Sequence, residues 1–233
     1  MLAALAMAAC ENDNCFKPAG SHTQQTTSFS KLNMIVVKGV FDIELVQDTA
    51  FYIVASGPEQ VVKGVDFELL NDTLTCYHYT GCFWRSDRTR PHLQIHFSDL
   101  QSLHIDESCY LYSSDSIRDN FKLSIGTKVA EADLLFSNTE VYFYIHKSSG
   151  GRYTFRGKTQ KAFLMNFNTG LFDMSELECQ SAKVLNYSII DMKVNVSNQL
   201  SVQIYNSGNI YYKGHPVLIV DTLASTGRAL PAD

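Results

Sequence analysis

The 233-residue sequence has no block of basic residues, and its charges sum to 19 − 24 = −5. Proteins that grip duplex nucleic acid by its phosphates need clustered Lys and Arg, so nucleic acid is excluded as a partner. No apolar stretch approaches the ~18 residues of a bilayer-spanning helix. The six cysteines contain no Cys-x-x-Cys spacing, so no metal site and no cofactor is expected. No phosphate loop, nucleophile elbow or Ser–His–Asp arrangement occurs. Proline is sparse, at five, and Trp84 is the single tryptophan. What is abundant is aromatic and β-prone: 14 Phe, 12 Tyr and many Val, Ile, Asn, Ser and Thr, a composition that favours strands.

The chain opens with nine small or apolar residues, Met1 to Ala9, running into Cys10. Small residues directly before a cysteine form the lipobox of a bacterial lipoprotein signal, so residues 1–9 are read as a signal peptide and Cys10 as the lipidation site. A lipid at Cys10 anchors the chain to a membrane without threading it through. Residues 10–30 are polar and weakly patterned, which predicts a flexible tether. The acidic start Glu11-Asn12-Asp13 is similar to the surface-export signals of Bacteroidetes lipoproteins. The expected location is the bacterial cell envelope, as an outer-membrane lipoprotein that is periplasmic or surface-exposed.

From residue 31 to 100 short segments alternate, as in Phe41, Ile43 and Leu45 against Asp42 and Glu44. Pro58 to Val62 reads as a single helical turn. This region is expected to consist of strands and hairpins. From 101 to 216 a different order takes over. Ile105, Ile125, Ile145, Met165 and Leu185 recur at twenty-residue intervals, and Ile204 follows at nineteen. Leu103, Leu123, Phe143 and Phe163 form a companion column, which Lys183 breaks. A fixed period of this size indicates stacked units, and a strand, a turn, a second strand and a return in about twenty residues make one coil of a parallel β-helix. Residues 217–233 complete the division as a C-terminal strand and tail.

With 123, 143 and 163 pointing inward, Tyr142, Tyr144, Leu164 and Val184 point outward, and this apolar set predicts a packing or oligomer face. Cys76 and Cys82 lie across an expected hairpin and could pair in an oxidising compartment. The segment 79–91 carries Trp84, Arg85, Arg88 and Arg90. Trp stacks on sugar faces and Arg forks onto carboxylates, so these four are the candidate contacts for an acidic glycan or a partner protein. His92 and His96 share a strand face but lie about 13 Å apart at 3.3 Å per residue, too far to chelate one ion together. Asp133 and Asp173, two coils apart, make no catalytic pair.

Ser207-Gly208-Asn209-Ile210-Tyr211-Tyr212-Lys213-Gly214-His215-Pro216 resembles the closing signature of the auto-transporter adhesin family with a head GIN domain. Gly208, Asn209, Ile210, Tyr212, Gly214 and Pro216 match its pattern, and Phe41 to Gln47 is similar to the family's opening strand. The resemblance spans about Phe29 to Pro216 and implies a right-handed β-solenoid, often a Bacteroidetes lipoprotein. The Ser-Gly-Ser-Gly turns usual in the family are replaced here by Gly126-Thr127-Lys128, Ser148 to Gly151 and Asn168-Thr169-Gly170, marking a divergent member. Gly208 and Gly214 are expected to take positive φ, and the motif to close the solenoid. The resulting expectation is a lipid-anchored, exported, non-enzymatic protein, adhesin-like or envelope-scaffolding. The alternatives are a carbohydrate-active β-helix enzyme, a polysaccharide lyase or hydrolase, and a purely structural homo-oligomer.

Overall fold

A computed structural model describes residues 19–30, 32–79, 89–126, 129–146 and 150–232. It is almost wholly β. In chain order the elements are β1 (His22–Ser28), β2 (Met34–Val37), β3 (Phe41–Gln47), β4 (Tyr52–Pro58), α1 (Glu59–Val62), β5 (Val65–Leu70) and β6 (Thr73–His78). Then follow β7 (His92–Phe97), β8 (Ser102–Ile105), β9 (Cys109–Ser113), β10 (Phe121–Ile125), β11 (Val129–Ile145) and β12 (Gly150–Asn166). The last are β13 (Thr169–Asn186), β14 (Met192–Ile204), β15 (Ile210–Lys213), β16 (Val217–Leu223) and β17 (Ala229–Pro231).

Parallel pairing of successive coils makes this the expected β-solenoid. One wall stacks β6, β2, β8, β10 and the second halves of β11 to β14, and ends on β16. The other wall stacks β7, β3, β9 and the first halves of β11 to β14, and ends on β15 and β17. Strict alternation explains why: in β10 Phe121, Leu123 and Ile125 are buried while Lys122 is exposed. The inward columns fuse into one core. Phe143 lies at its centre, with the rings of Tyr153, Phe155 and Phe172 each 4.9 Å away, centroid to centroid.

The coils are not stacked in chain order at the head. β2 lies between β6 and β8, and β3 between β7 and β9. The chain lays down its second coil first, leaves through the antiparallel β4, the single turn α1 and β5, and returns to lay the first coil beneath it. The boundary expected at residue 100 therefore does not divide the ladder, because β2 and β8 pair directly. The expected tether is also shorter than read: β1 pairs antiparallel with β4, since Thr- and Gln-rich segments still offer a complete row of backbone donors and acceptors.

The predicted ladder is right up to Ile145 and then slips by one residue. Leu123 pairs with Phe143 at 143 − 123 = 20, but Phe143 pairs with Leu164 at 164 − 143 = 21. One extra residue in a period-two strand exchanges the faces. Leu164 and Val184 are therefore core residues, 1% and 0% exposed, and are not part of an outer face. Phe163, Met165 and Lys183 point outward, so Lys183 breaks no inner column. The ladder is continued by Asn166 and Asn186, both fully buried. They persist there because the backbone satisfies them. Asn186 Nδ2 donates to the carbonyls of Ile190 and Gly208, each at 3.1 Å, and its Oδ1 accepts from Ser188 N at 2.9 Å.

The Gly208–Pro216 motif is not the end of the stack. Ile210 to Lys213 form β15, and residues 217–231, read as strand and tail, add one more coil as β16 and β17. Gly214 has φ +87°, as expected, whereas Gly208 is required by a close approach: a Cβ there would stand 2.3 Å from Ile190 O. Asn209 links coils, its Oδ1 accepting from Arg228 N at 2.9 Å. Cys76, which could pair with Cys82 on the sequence reading, is a buried free thiol in the core, as are Cys109 and Cys179, with burial raising all three thiols to about 12. Cys82 lies outside the described residues.

Candidate functional site

The densest polar constellation lies on the outer face of the head, where β3 runs between β7 and β9. Outward positions on these strands fall in register: Asp42 beside His92 and Tyr110, Glu44 beside Gln94 and Tyr112. A row of carboxylates is thus held between a His/Gln row and a Tyr row. Glu44 is the hub. Gln94 Nε2 donates to its Oε2 at 2.9 Å, the Tyr112 hydroxyl donates to the same oxygen at 3.4 Å, and Ser114 Oγ donates to Oε1. His92 Nε2 stands 3.8 Å from Glu44 and is hydrogen-bonded to the Tyr112 hydroxyl at 2.9 Å. Burial alone would raise the Glu44 carboxyl, but the bonds from Ser114, Gln94 and Tyr112 and the charge of His92 outweigh it and hold its pKa below 4.5. Burial and the Glu44 charge push the Tyr112 hydroxyl up, so Tyr112 serves as a donor and not as a base.

Two further units flank the hub. Tyr110, 40% exposed, stacks on Tyr112 at 5.4 Å and offers a flat ring to solvent. On the other side Tyr52 of β4 stacks on His96 at 4.1 Å, and both contact Asp48: His96 Nδ1 at 3.0 Å, the Tyr52 hydroxyl at 3.1 Å. The Thr49 backbone N–H and His96 together lower Asp48 to about 2. His92 and His96 serve different carboxylates, as their spacing required. Among the described residues no group of three or more His, Cys, Asp or Glu could hold a metal ion.

Of the predicted glycan contacts, Arg90 is at this face, its Nη1 3.4 Å from Asp42 Oδ1. Trp84, Arg85 and Arg88, like Cys10, lie outside the described residues. Tyr142 and Tyr144 do point outward, on the other wall; Tyr142 is 37% exposed and Tyr144 half-buried. Asp133 and Asp173 are held by Arg156 at 2.6 Å and Lys193 at 3.1 Å. The sequence showed Asp42 and Glu44 as a solvent face; it gave no signal that His92 and Tyr112, 48 and 68 residues further on, would meet that face. Chemically, the head offers fixed acceptors, fixed donors and the exposed ring of Tyr110, a set suited to holding a polar ligand.

A family model described as "Putative auto-transporter adhesin, head GIN domain" matches residues 31–216. The chain belongs to this family. Its fold is that of several solved members of the same architecture. A "putative adhesin" from Bacteroides fragilis NCTC 9343 superposes with a TM-score of 0.77 at 16% identity, over 91% of this chain and 97% of that one. A second, from Parabacteroides distasonis ATCC 8503, gives 0.69 at 15% identity over 91% and 98%. A "putative lipid binding protein" from the same organism gives 0.57 at 14% identity over 92% and 98%. Curated proteins yield no match. At these identities the structures speak for the fold alone. Within the described residues of this adhesin-family chain, no helix is long and apolar enough to cross a membrane.

Proposed function

We propose that this chain is a lipid-anchored, exported binding protein of adhesin type, attached at Cys10 and acting without catalysis at the cell envelope. The observation that carries the binding reading is the Glu44 network: a half-buried carboxylate held by Gln94, Tyr112, Ser114 and His92 beside the exposed ring of Tyr110. Such a surface is preorganised, so a ligand meets it without the cost of ordering side chains. Flat rings beside fixed polar groups suit a sugar or a polar protein loop. Family membership supports an envelope location, and the Ala8-Ala9-Cys10 sequence supports the anchor. Arg90 joins the face to the segment that carries Trp84, Arg85 and Arg88.

The test is binding of the soluble form that begins after Cys10 to glycan and extracellular-matrix arrays, compared with Tyr110→Ala and Trp84→Ala. Binding that both variants weaken by about tenfold supports the head as the contact; stacking losses of about 1–1.5 kcal/mol correspond to that factor. Binding unchanged in both variants removes the head from the reading. Palmitate labelling of the expressed chain, lost in Cys10→Ala, tests the anchor.

A further inference from the structure

The trunk has two lateral walls of opposite character. On the wall built from β7 and β3 onward, outward charges cancel in pairs, Arg156 with Asp133 and Lys193 with Asp173. The other wall is aromatic. Because of the 21-residue coil, Phe163 is turned outward beside Tyr142 and Tyr144, at 6.1 and 5.7 Å between centroids. The outer face of a solvated sheet is ordinarily polar, so a cluster of rings spanning adjacent coils asks for an occupant. At the corner that follows, Phe167, Tyr187 and Tyr205 continue the ring surface in a stack, 4.5 and 4.1 Å apart.

The rim of this shelf is basic. Lys122 Nζ sits 5.3 Å over the Tyr144 ring, Lys161 flanks the column beside Glu140 at 3.1 Å, and Lys183 is exposed on the next coil. Three lysines against Glu140 and against Asp221, which Ser201 holds beside Lys183, leave 3 − 2 = +1 on a chain whose net charge is −5. A second copy of the chain would bring like charge against like charge across a twofold axis, which disfavours self-pairing here. We propose that this shelf, from Lys122 through Tyr142, Tyr144 and Phe163 to Lys183, binds an acidic polysaccharide running along the solenoid axis. The rings of Tyr142 and Tyr144 on one coil and Phe163 on the next, ~4.8 Å away, stack on sugar faces, and the lysines on the flanking coils neutralise carboxylate or sulfate groups. The inference rests on the proposed function only in that the chain is a binding protein; it uses none of the head residues.

The test is calorimetric titration of the purified full-length protein with heparin, polygalacturonate and neutral dextran. Binding to heparin, to polygalacturonate or to both is expected, with none to dextran, and affinity should fall at least tenfold between about 0.05 and 0.5 M salt. Preference between the two acidic probes tells sulfate from carboxylate. Phe163→Ala and Lys183→Glu should each weaken binding at least tenfold with the circular dichroism spectrum unchanged. Lys213→Glu, the same charge change on the other wall, should leave it unchanged. Equal binding of dextran, retention of affinity in both shelf variants, an equal loss in Lys213→Glu, or a dimer that Phe163→Ala dissociates would each overturn the proposal. The head variant Tyr110→Ala on the arrays reads the other site, so the two failures are separable.

Discussion

Truncating Leu164 and Phe163 in turn measures which way the coil after β11 faces. Leu164 is 1% exposed and pairs with Phe143 at the centre of the core. Its replacement by Ala removes buried methyl groups and leaves a cavity in a wall that cannot collapse, since the coils above and below are fixed by ladder hydrogen bonds. The cost is about 2–5 kcal/mol. Phe163 packs on the outer face against the rings of Tyr142 and Tyr144, and Phe163→Ala costs about 1 kcal/mol. With an m-value of about 3 kcal/mol/M, the Leu164 variant should lose about 1 M in urea midpoint and the Phe163 variant about 0.3 M. Urea titration followed by far-ultraviolet circular dichroism reads both. A strict twenty-residue period demands the reverse, with Phe163 in the core and Leu164 in solvent. If Phe163→Ala proves the more damaging substitution, the 21-residue coil is wrong, and with it the orientation of the shelf.

Asn186→Ala deprives the Ile190 and Gly208 carbonyls and the Ser188 N–H of their partner at once, and should cost about 3 kcal/mol or more in the same urea assay. Gly157→Ala places a Cβ 2.1 Å from Phe136 O at φ +98°, so a loss of at least about 1–3 kcal/mol and a lower thermal midpoint are expected. Asp48 has a depressed folded pKa, so its contribution to stability is present above the ordinary 3.8 and is lost as pH falls through about 2. Urea midpoints measured over that window should fall more steeply for the wild type than for Asp48→Asn.

The period and the inward columns were legible because apolar residues recur at fixed intervals in Leu103, Leu123 and Phe143. The slip after Ile145 was not, because Phe163 is as apolar as Leu164, which takes its place in the core, and because Met165 and Leu185 are more apolar than the Asn166 and Asn186 that continue the ladder. Hydrophobicity cannot distinguish a core column from an aromatic shelf one residue out of phase. Nothing in composition marks Asn166 and Asn186 as core residues either, since their satisfaction by backbone groups appears only in the fold. The head network was hidden differently. Glu44 meets Gln94 and Tyr112 only because β3 is inserted between two later strands, and no local pattern encodes an insertion.

That insertion also sets an order of assembly. In the trunk each strand finds its partner about 20 residues back, so coils can close one after another as the chain emerges. In the head Met34 must wait for Thr73 and Ser102, and Phe41 for Cys109. Closing these longer loops costs only a little more entropy, about 0.6 kcal/mol per doubling, but it delays the contacts that offset it. If the chain emerges amino terminus first, β2 meets its first partner 73 − 34 = 39 residues later and its second 102 − 34 = 68 residues later, so one of its edges stays open over that interval. The head is therefore the part whose kinetics of closure decide whether the emerging chain meets a neighbour's edge before its own.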